Sequence, residues 1–153
     1  MKFLFLVLII LGCQRDQKIS SCNVTDPFKN VKYVTSYDGD TITIDLPDIP
    51  NVFGDKIKVR VRHIDTPEIK GSTNCEKDMA QKAKAATTNL LKNADRIDLE
   101  NVGRDKYFRL LADVIVYKKG VKLSVGEYLL SKKYAVPYEG DTKLKIDWCL
   151  NPR

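Results

Sequence analysis

The chain has 153 residues, 43% of them hydrophobic and 30% charged, which suits one folded domain with one core and leaves it too apolar for disorder throughout. Lys and Arg number 26 against 20 Asp and Glu, a formal charge of +6 that favours an anionic partner without establishing one. The single histidine, His63, argues against His-rich zinc chemistry and against Ser-His or Cys-His catalysis.

Met1-Lys2 precedes an unbroken apolar run from Phe3 to Leu11. The run is far below the ~20 residues of a membrane-spanning helix and has the form of a secretory signal. It ends in Ile10-Leu11-Gly12-Cys13, which is similar to the bacterial lipoprotein signal, where cleavage precedes a cysteine that becomes lipidated. An ordinary cleaved signal peptide, or an uncleaved apolar N-terminus, is the alternative. Residues 1–12 then read as a signal peptide, 13–29 as a lipidated Cys13 and a polar, flexible tether, and 30–153 as the folded domain. The expected location is the bacterial cell envelope, with a lipid anchor in the outer membrane or cell surface, or the exterior if the lipid signal is not used. Export implies an oxidising compartment. Cys75 and Cys149 can there staple the C-terminus to the domain body. Free thiols are the alternative, and Cys22 is left over in the tether.

Val31, Tyr33 and Thr35-Ser36-Tyr37 have strand composition, Asp38-Gly39 is a turn signal, and Thr41 to Leu46 alternates, so a hairpin-like pair is expected. Pro47 and Pro50 stop it. Ile57, Val59 and Val61 alternate with Lys58, Arg60 and Arg62, which puts aliphatics on one face of a third strand and cations on the other. Ile64-Asp65-Thr66-Pro67-Glu68 follows, with Pro67 turning the chain. Thr73 and Glu76 have capping-box spacing, and Met79, Ala83, Ala86 and Leu90 predict an amphipathic helix over 76–93. Ile97 and Leu99 suggest a fourth strand, Tyr107 to Tyr117 a long fifth, and Lys119-Gly120 a turn. Ser124 can cap a short helix, 134–138 is extended, and 141–148 is a last short helix. The expected class is mainly β with helices: an OB-type, five-stranded, partly open barrel with about three helices.

Two acidic segments, Asp38-Gly39-Asp40-Thr41 and Asp65-Thr66-Pro67-Glu68, fall at strand ends, where barrel loops gather. A hard cation such as Ca2+ takes carboxylate and carbonyl oxygens, so two aspartates from separate loops and a backbone carbonyl make a partial cage. Either segment alone is equally a solvated turn. Arg60 and Arg109 each offer a planar fork of donors suited to phosphate, or they pair with nearby acids on the surface. Lys56, Lys58, Lys118, Lys119, Lys132 and Lys133 can track a nucleic-acid backbone, and tyrosines can stack on bases without reading them.

Three blocks, Tyr37-Asp38-Gly39-Asp40-Thr41, Arg60 through Asp65-Thr66-Pro67-Glu68, and Asp105-Lys106-Tyr107-Phe108-Arg109, stand in the order and spacing of a known pattern. With the intervening helix, the chain from about 31 to 148 resembles the staphylococcal nuclease (thermonuclease) family. The resemblance implies an OB-type barrel and a Ca2+-dependent phosphodiesterase acting on DNA and RNA, leaving 3′-phosphates. It implies Ca2+ held by the Asp40 and Asp65 carboxylates and the Thr66 carbonyl, with Asp38 acting through water. It implies Glu68 as general base, Arg60 and Arg109 on the scissile phosphate, Lys106 and Tyr107 near a terminal phosphate, and Tyr138 beside the base. Phe108 departs from the glycine of the best-known member and adds bulk beside Arg109. The expected partners are DNA and RNA as single strands or breathing duplex, and a membrane through Cys13; the protein is expected to be a monomer. A catalytically inactive nucleic-acid-binding surface lipoprotein is the alternative, and a structural lipoprotein with a basic face is a third. The intact set Arg60, Asp40, Asp65, Glu68 and Arg109 favours the enzyme.

Overall fold

The computed structural model describes residues 28–142 and 146–150. The expected signal peptide, Cys13, Cys22 and the tether as far as residue 27 lie outside the described residues. Eight strands and three helices follow among those described: β1 (Lys32–Ser36), β2 (Thr41–Asp45), α1 (Asn51–Gly54), β3 (Ile57–Val61), β4 (Ile64–Asp65), α2 (Asn74–Lys92), β5 (Arg96–Arg104), β6 (Leu110–Lys118), β7 (Val121–Ser124), α3 (Val125–Ser131) and β8 (Val136–Pro137).

The main sheet runs β1-β2-β3-β6-β5, with β7 also paired to β6. β1–β2–β3 is an antiparallel meander, and β3 then lies parallel to β6. The two edges of this sheet approach each other just before β1. Phe28 bridges Leu99, and the Val31 N–H donates to the Ile97 carbonyl at 2.9 Å. The pairing is therefore curled but not continuously closed, as expected of a partly open barrel. Phe28, which the sequence places in the tether, packs on the core.

Alternation fixes which face is inside. Ile42 and Ile44 of β2, Val59 and Val61 of β3, Leu99 of β5 and Val114 and Val116 of β6 are buried together. Period 2 then turns Thr41, Thr43, Lys58, Arg60 and Leu111 outward, and this outer face carries the site described below.

Helix α2 starts two residues before the expected 76 and ends one before the expected 93, with the cap that the sequence marks. Thr73 is its N-cap, its side chain accepting from the Glu76 N–H at 3.1 Å. Its buried stripe is Ala80, Ala83, Thr87 and Leu91, rotated by about one residue from the expected Met79, Ala83, Ala86 and Leu90. The rotation has a polar cause. Thr87 is buried because its hydroxyl donates to the Gly39 carbonyl at 2.6 Å, a contact that apolar counting does not credit.

Two other expectations are corrected. The fifth strand was to begin at Tyr107, but β6 begins at Leu110. The Asp105 carboxylate accepts from the Tyr107 and Arg109 N–H groups at 2.8 and 2.9 Å and so folds 105–109 into a tight loop. The last helix over 141–148 is absent from its described part, where Asp141, Thr142 and residues 146–148 are not helical and 143–145 lie outside the described residues. Short α1 was not expected; Pro50 stands at its N-cap, where a fixed φ helps start a turn.

Strand β8 brings the C-terminal segment back to β4, pairing Val136 with Asp65. Cys75 and Cys149 form a disulfide across 74 residues of sequence, with Cα atoms 5.7 Å apart. Closing a loop of that length restricts the unfolded chain by about 4 kcal/mol. Cys75→Ser is expected to lower the unfolding free energy by about that amount in a urea titration. Dithiothreitol should then lower the midpoint of the parent protein and leave that of the variant in place.

Candidate active site

The site begins at the turn between β1 and β2. Asp38 Oδ1 accepts from the Asp40 and Thr41 N–H groups at 3.1 and 2.7 Å, and the Tyr37 N–H donates to the Thr41 carbonyl at 2.8 Å. The carboxylate thus stands in for a strand partner and holds the turn closed. Gly39 sits where no side chain fits, since a Cβ there would lie 2.8 Å from both Ala83 Cβ and Thr66 Cγ2. Glycine is what lets the turn, α2 and the loop after β4 meet.

That meeting joins the two acidic segments. Asp40 Oδ2 accepts from the Thr66 N–H and hydroxyl, each at 2.9 Å. Asp40 Oδ1 accepts from the Thr41 hydroxyl and pairs with Arg60 Nη1. Arg60 Nη2 donates to Asp65 Oδ1 at 2.8 Å and to the Ile64 carbonyl at 3.2 Å. One guanidinium therefore bridges carboxylates from two loops, using the fork geometry that Arg alone offers.

Burial makes this charge balance uneven. Asp38, Asp40 and Asp65 are all buried, Asp40 to 1% exposure. Burial pushes the Asp40 carboxyl up; Arg60 pulls it down, Asp38 pushes it up, the Thr66 hydrogen bond pulls it down and Asp65 pushes it up, for a balance of about 7. Burial would lower Arg60, but Asp40 chiefly, then Asp65 and Asp38, outweigh it and hold the guanidinium more firmly protonated than usual. Three buried acids share one half-buried cation.

The second arginine comes from the 105–109 loop. Arg109 Nε donates to Asp105 Oδ2 at 2.6 Å. Burial would raise Asp105, but the hydrogen bonds from the Arg109 side chain and from the Tyr107 and Arg109 N–H groups, with the Arg109 charge, hold it below the usual range. Arg109 Cζ also lies 5.6 Å from the centre of the Tyr107 ring, and Lys106 Nζ 5.5 Å from it on its own account. Phe108 takes a left-handed backbone, φ 62°, where glycine would be unstrained, and its ring is 79% exposed rather than packed beside Arg109.

A cleft of ≈ 1120 Å³ opens over this face. Its walls bring together Asp38, Arg60, Glu68, Lys106, Tyr107, Arg109 and Tyr138. Asp40 and Asp65 lie beneath, tied to Arg60, with Thr66 tied to Asp40. Tyr138 is placed by its N–H, which donates to the His63 carbonyl at 3.0 Å, and by its hydroxyl, which donates to the Asp141 carbonyl at 2.7 Å. Of the six lysines expected to track a backbone, only Lys58 lines the cleft. Site reading from sequence missed Arg62, His63 and Glu139, which also line it. The period-2 alternation of β3 was the signal for Arg62; no sequence signal pairs His63 Nδ1 with the Glu139 carboxylate, 2.8 Å apart.

Residues 58–147, more than half of the chain, match the family model described as staphylococcal nuclease homologue. The chain belongs to the staphylococcal nuclease family. The matched span includes Arg60, Asp65-Thr66-Pro67-Glu68 and Asp105 to Arg109, and the sheet order is the OB-fold of this nuclease family. The Asp38–Thr41 turn precedes the matched span and joins the cleft residues through the bonds of Asp40 to Arg60 and Thr66. Compared with curated proteins, the chain has no significant match.

In this nuclease-family site, Gly39→Ala is expected to destabilise the fold by about 1–3 kcal/mol, because neither Ala83 nor Thr66 can retreat. A thermal melt checks that cost.

Proposed function

We propose that this protein hydrolyses phosphodiester bonds of DNA and RNA with Ca2+ as its metal, as an exported lipoprotein. The observation that carries the proposal is the gathering of Arg60, Arg109 and Glu68 in one cleft, directly above two buried aspartates that Arg60 bridges. Cleft, two guanidinium groups and carboxylate together suit a phosphodiester and a water molecule.

The donor chemistry fits a hard divalent cation. Every candidate ligand is oxygen, and the buried acids exceed the buried cationic charge. Among the described residues no group of three or more His, Cys, Asp and Glu side chains is arranged to hold a metal ion. The set proposed here uses two carboxylates, Asp40 and Asp65, with the Thr66 carbonyl, and Asp38 nearby through water. When bound, Ca2+ supplies positive charge against the phosphate oxygens.

The chain's own groups account for the rest. Glu68, on the cleft wall, takes the proton from the attacking water. The water oxygen bonds to phosphorus in line with the departing 5′ oxygen, the P–O5′ bond breaks, and that oxygen leaves with a proton from solvent. Negative charge that builds on the equatorial oxygens meets Arg60 and Arg109, both held in place before substrate arrives. Asp105 is the positioning residue for Arg109. The exposed Tyr107 and the half-buried Tyr138 line the cleft and offer rings for bases without base-edge readout, so sequence preference is weak. The binding-only alternative lacks a reason to keep Glu68 beside the two arginines.

The deciding assay is digestion of labelled DNA and RNA by residues 28–153, with and without Ca2+, with end-group analysis. Cleavage that leaves 3′-phosphates and stops on addition of EGTA is expected; cleavage indifferent to EGTA rejects the Ca2+ assignment, and none at all rejects the enzyme. Glu68→Gln should lower turnover by roughly 10²–10⁴-fold while DNA binding persists, and Arg109→Ala should cost about 3–4 kcal/mol in kcat/KM.

Residues 1–12 as a signal peptide, Cys13 as the lipid site and 13–29 as a tether belong to the same proposal. Globomycin should cause an unprocessed precursor to accumulate in expressing bacteria, and Cys13→Ala should abolish labelling by radioactive palmitate. Processing that ignores both would remove the anchor from the proposal.

A further inference from the structure

Strand β3 offers the cleft more than Arg60. Lys58 and Arg60 lie in β3 and Arg62 is the first residue after its end, where its N–H still donates to the Ala112 carbonyl at 3.0 Å; the three alternate with the buried Val59 and Val61, and all three line the cleft. Arg60 is engaged by Asp40 and Asp65. Lys58 is exposed and has no ion pair among the described residues. Arg62 donates through Nε to the Asn101 carbonyl at 2.7 Å, which fixes the plane of the group and leaves its two terminal nitrogens without a hydrogen bond among the described residues.

Gly103 supports that placement independently. It lies where β5 slips register against β6, and a Cβ on it would come within 2.6 Å of Arg62 Nη2. The absent side chain is the space in which the Arg62 guanidinium lies. Nothing in the proposed chemistry at Arg60, Glu68 and Arg109 requires this arrangement.

Spacing identifies the ligand. Alternate residues along a strand are about 6.6 Å apart. That is roughly twice the 3.4 Å rise per nucleotide of one strand in a stacked duplex, and so matches a strand drawn out and unstacked. We propose that Lys58, Arg60 and Arg62 form a ladder for three consecutive phosphates of one extended single strand, Arg60 taking the scissile phosphate and the other two its neighbours. The assignment of the middle rung rests on the nuclease reading; the outer rungs are binding sites in their own right. The ladder makes extended single strands the preferred substrate class and gives the cleft a reason to favour chains over single nucleotides.

Equilibrium binding tests the ladder apart from catalysis. The probe is a fluorescein-labelled octathymidylate, read by anisotropy in CaCl2 at several salt concentrations, using Glu68→Gln so that cleavage does not interfere. On that background Lys58→Ala and Arg62→Ala should each raise Kd roughly three- to tenfold and make the slope of log K against log salt shallower by about 0.7, the value for one single-strand phosphate contact. Gly103→Ala, which keeps every charge but fills the space of Arg62, should raise Kd in the same direction. Lys82→Ala on α2 removes an equal charge outside the cleft and should change Kd by less than about twofold. Circular dichroism melts establish that each variant is folded, and Gly103→Ala stands in for Arg62→Ala if the latter is not. Slopes for the β3 variants equal to that of Lys82→Ala overturn the ladder. Failure of the parent protein to cut any substrate would instead count against the nuclease reading and leave the binding result standing.

Discussion

The structure turns on Arg60 lying between two buried carboxylates that come from different loops. A guanidinium that bridges Asp40 and Asp65 costs several kcal/mol in lost hydration, and its partners cost as much again. Those costs are met only when all three arrive together with the donors from Thr66, Thr41 and the Asp38 turn. The barrel, α2 and the return of β8 are what hold these pieces in register. Removing any one leaves a buried charge without its counterpart, so the site is bound up with the fold rather than added to its surface.

The same arrangement supports the proposed phosphate chemistry. The acids beneath set Arg60 in a fixed direction, and Asp105 does the same for Arg109 from another loop. Neither arginine has to surrender much side-chain freedom when an anion arrives. The excess of buried acid over buried base is the other half: under the proposed chemistry it favours an added cation in the place where phosphate oxygens would also need one.

Much of this was legible in the sequence because it is local. Alternation marks β2 and β3 and says which residues face out, the Asp38-Gly39 pair marks its turn, and Thr73 marks the start of α2. The acidic segments and arginines carry a recognisable order, and the cleft gathers them. What could not be read depends on contacts distant in sequence. Thr87 looks like an ordinary helix residue until its hydroxyl meets Gly39, which is why the buried stripe of α2 is rotated. Tyr107 and Phe108 have strand composition, yet the side chain of Asp105 outcompetes the ladder and holds the backbone at Phe108 left-handed. Strands β4 and β8 have two residues each, too few for periodicity to speak, and their pairing sets Tyr138.

The Cys75–Cys149 bond divides the molecule topologically. Everything between the two cysteines is a covalent ring that carries Arg109, Lys106, Tyr107 and Tyr138, whereas Asp40, Arg60, Asp65 and Glu68 sit on the open stretch before it. A protease that nicks the ring leaves both fragments attached, with the halves of the cleft still joined. A nick ahead of Cys75 sets the carboxylate half free to diffuse away. The two kinds of scission differ in whether the damage can be reversed.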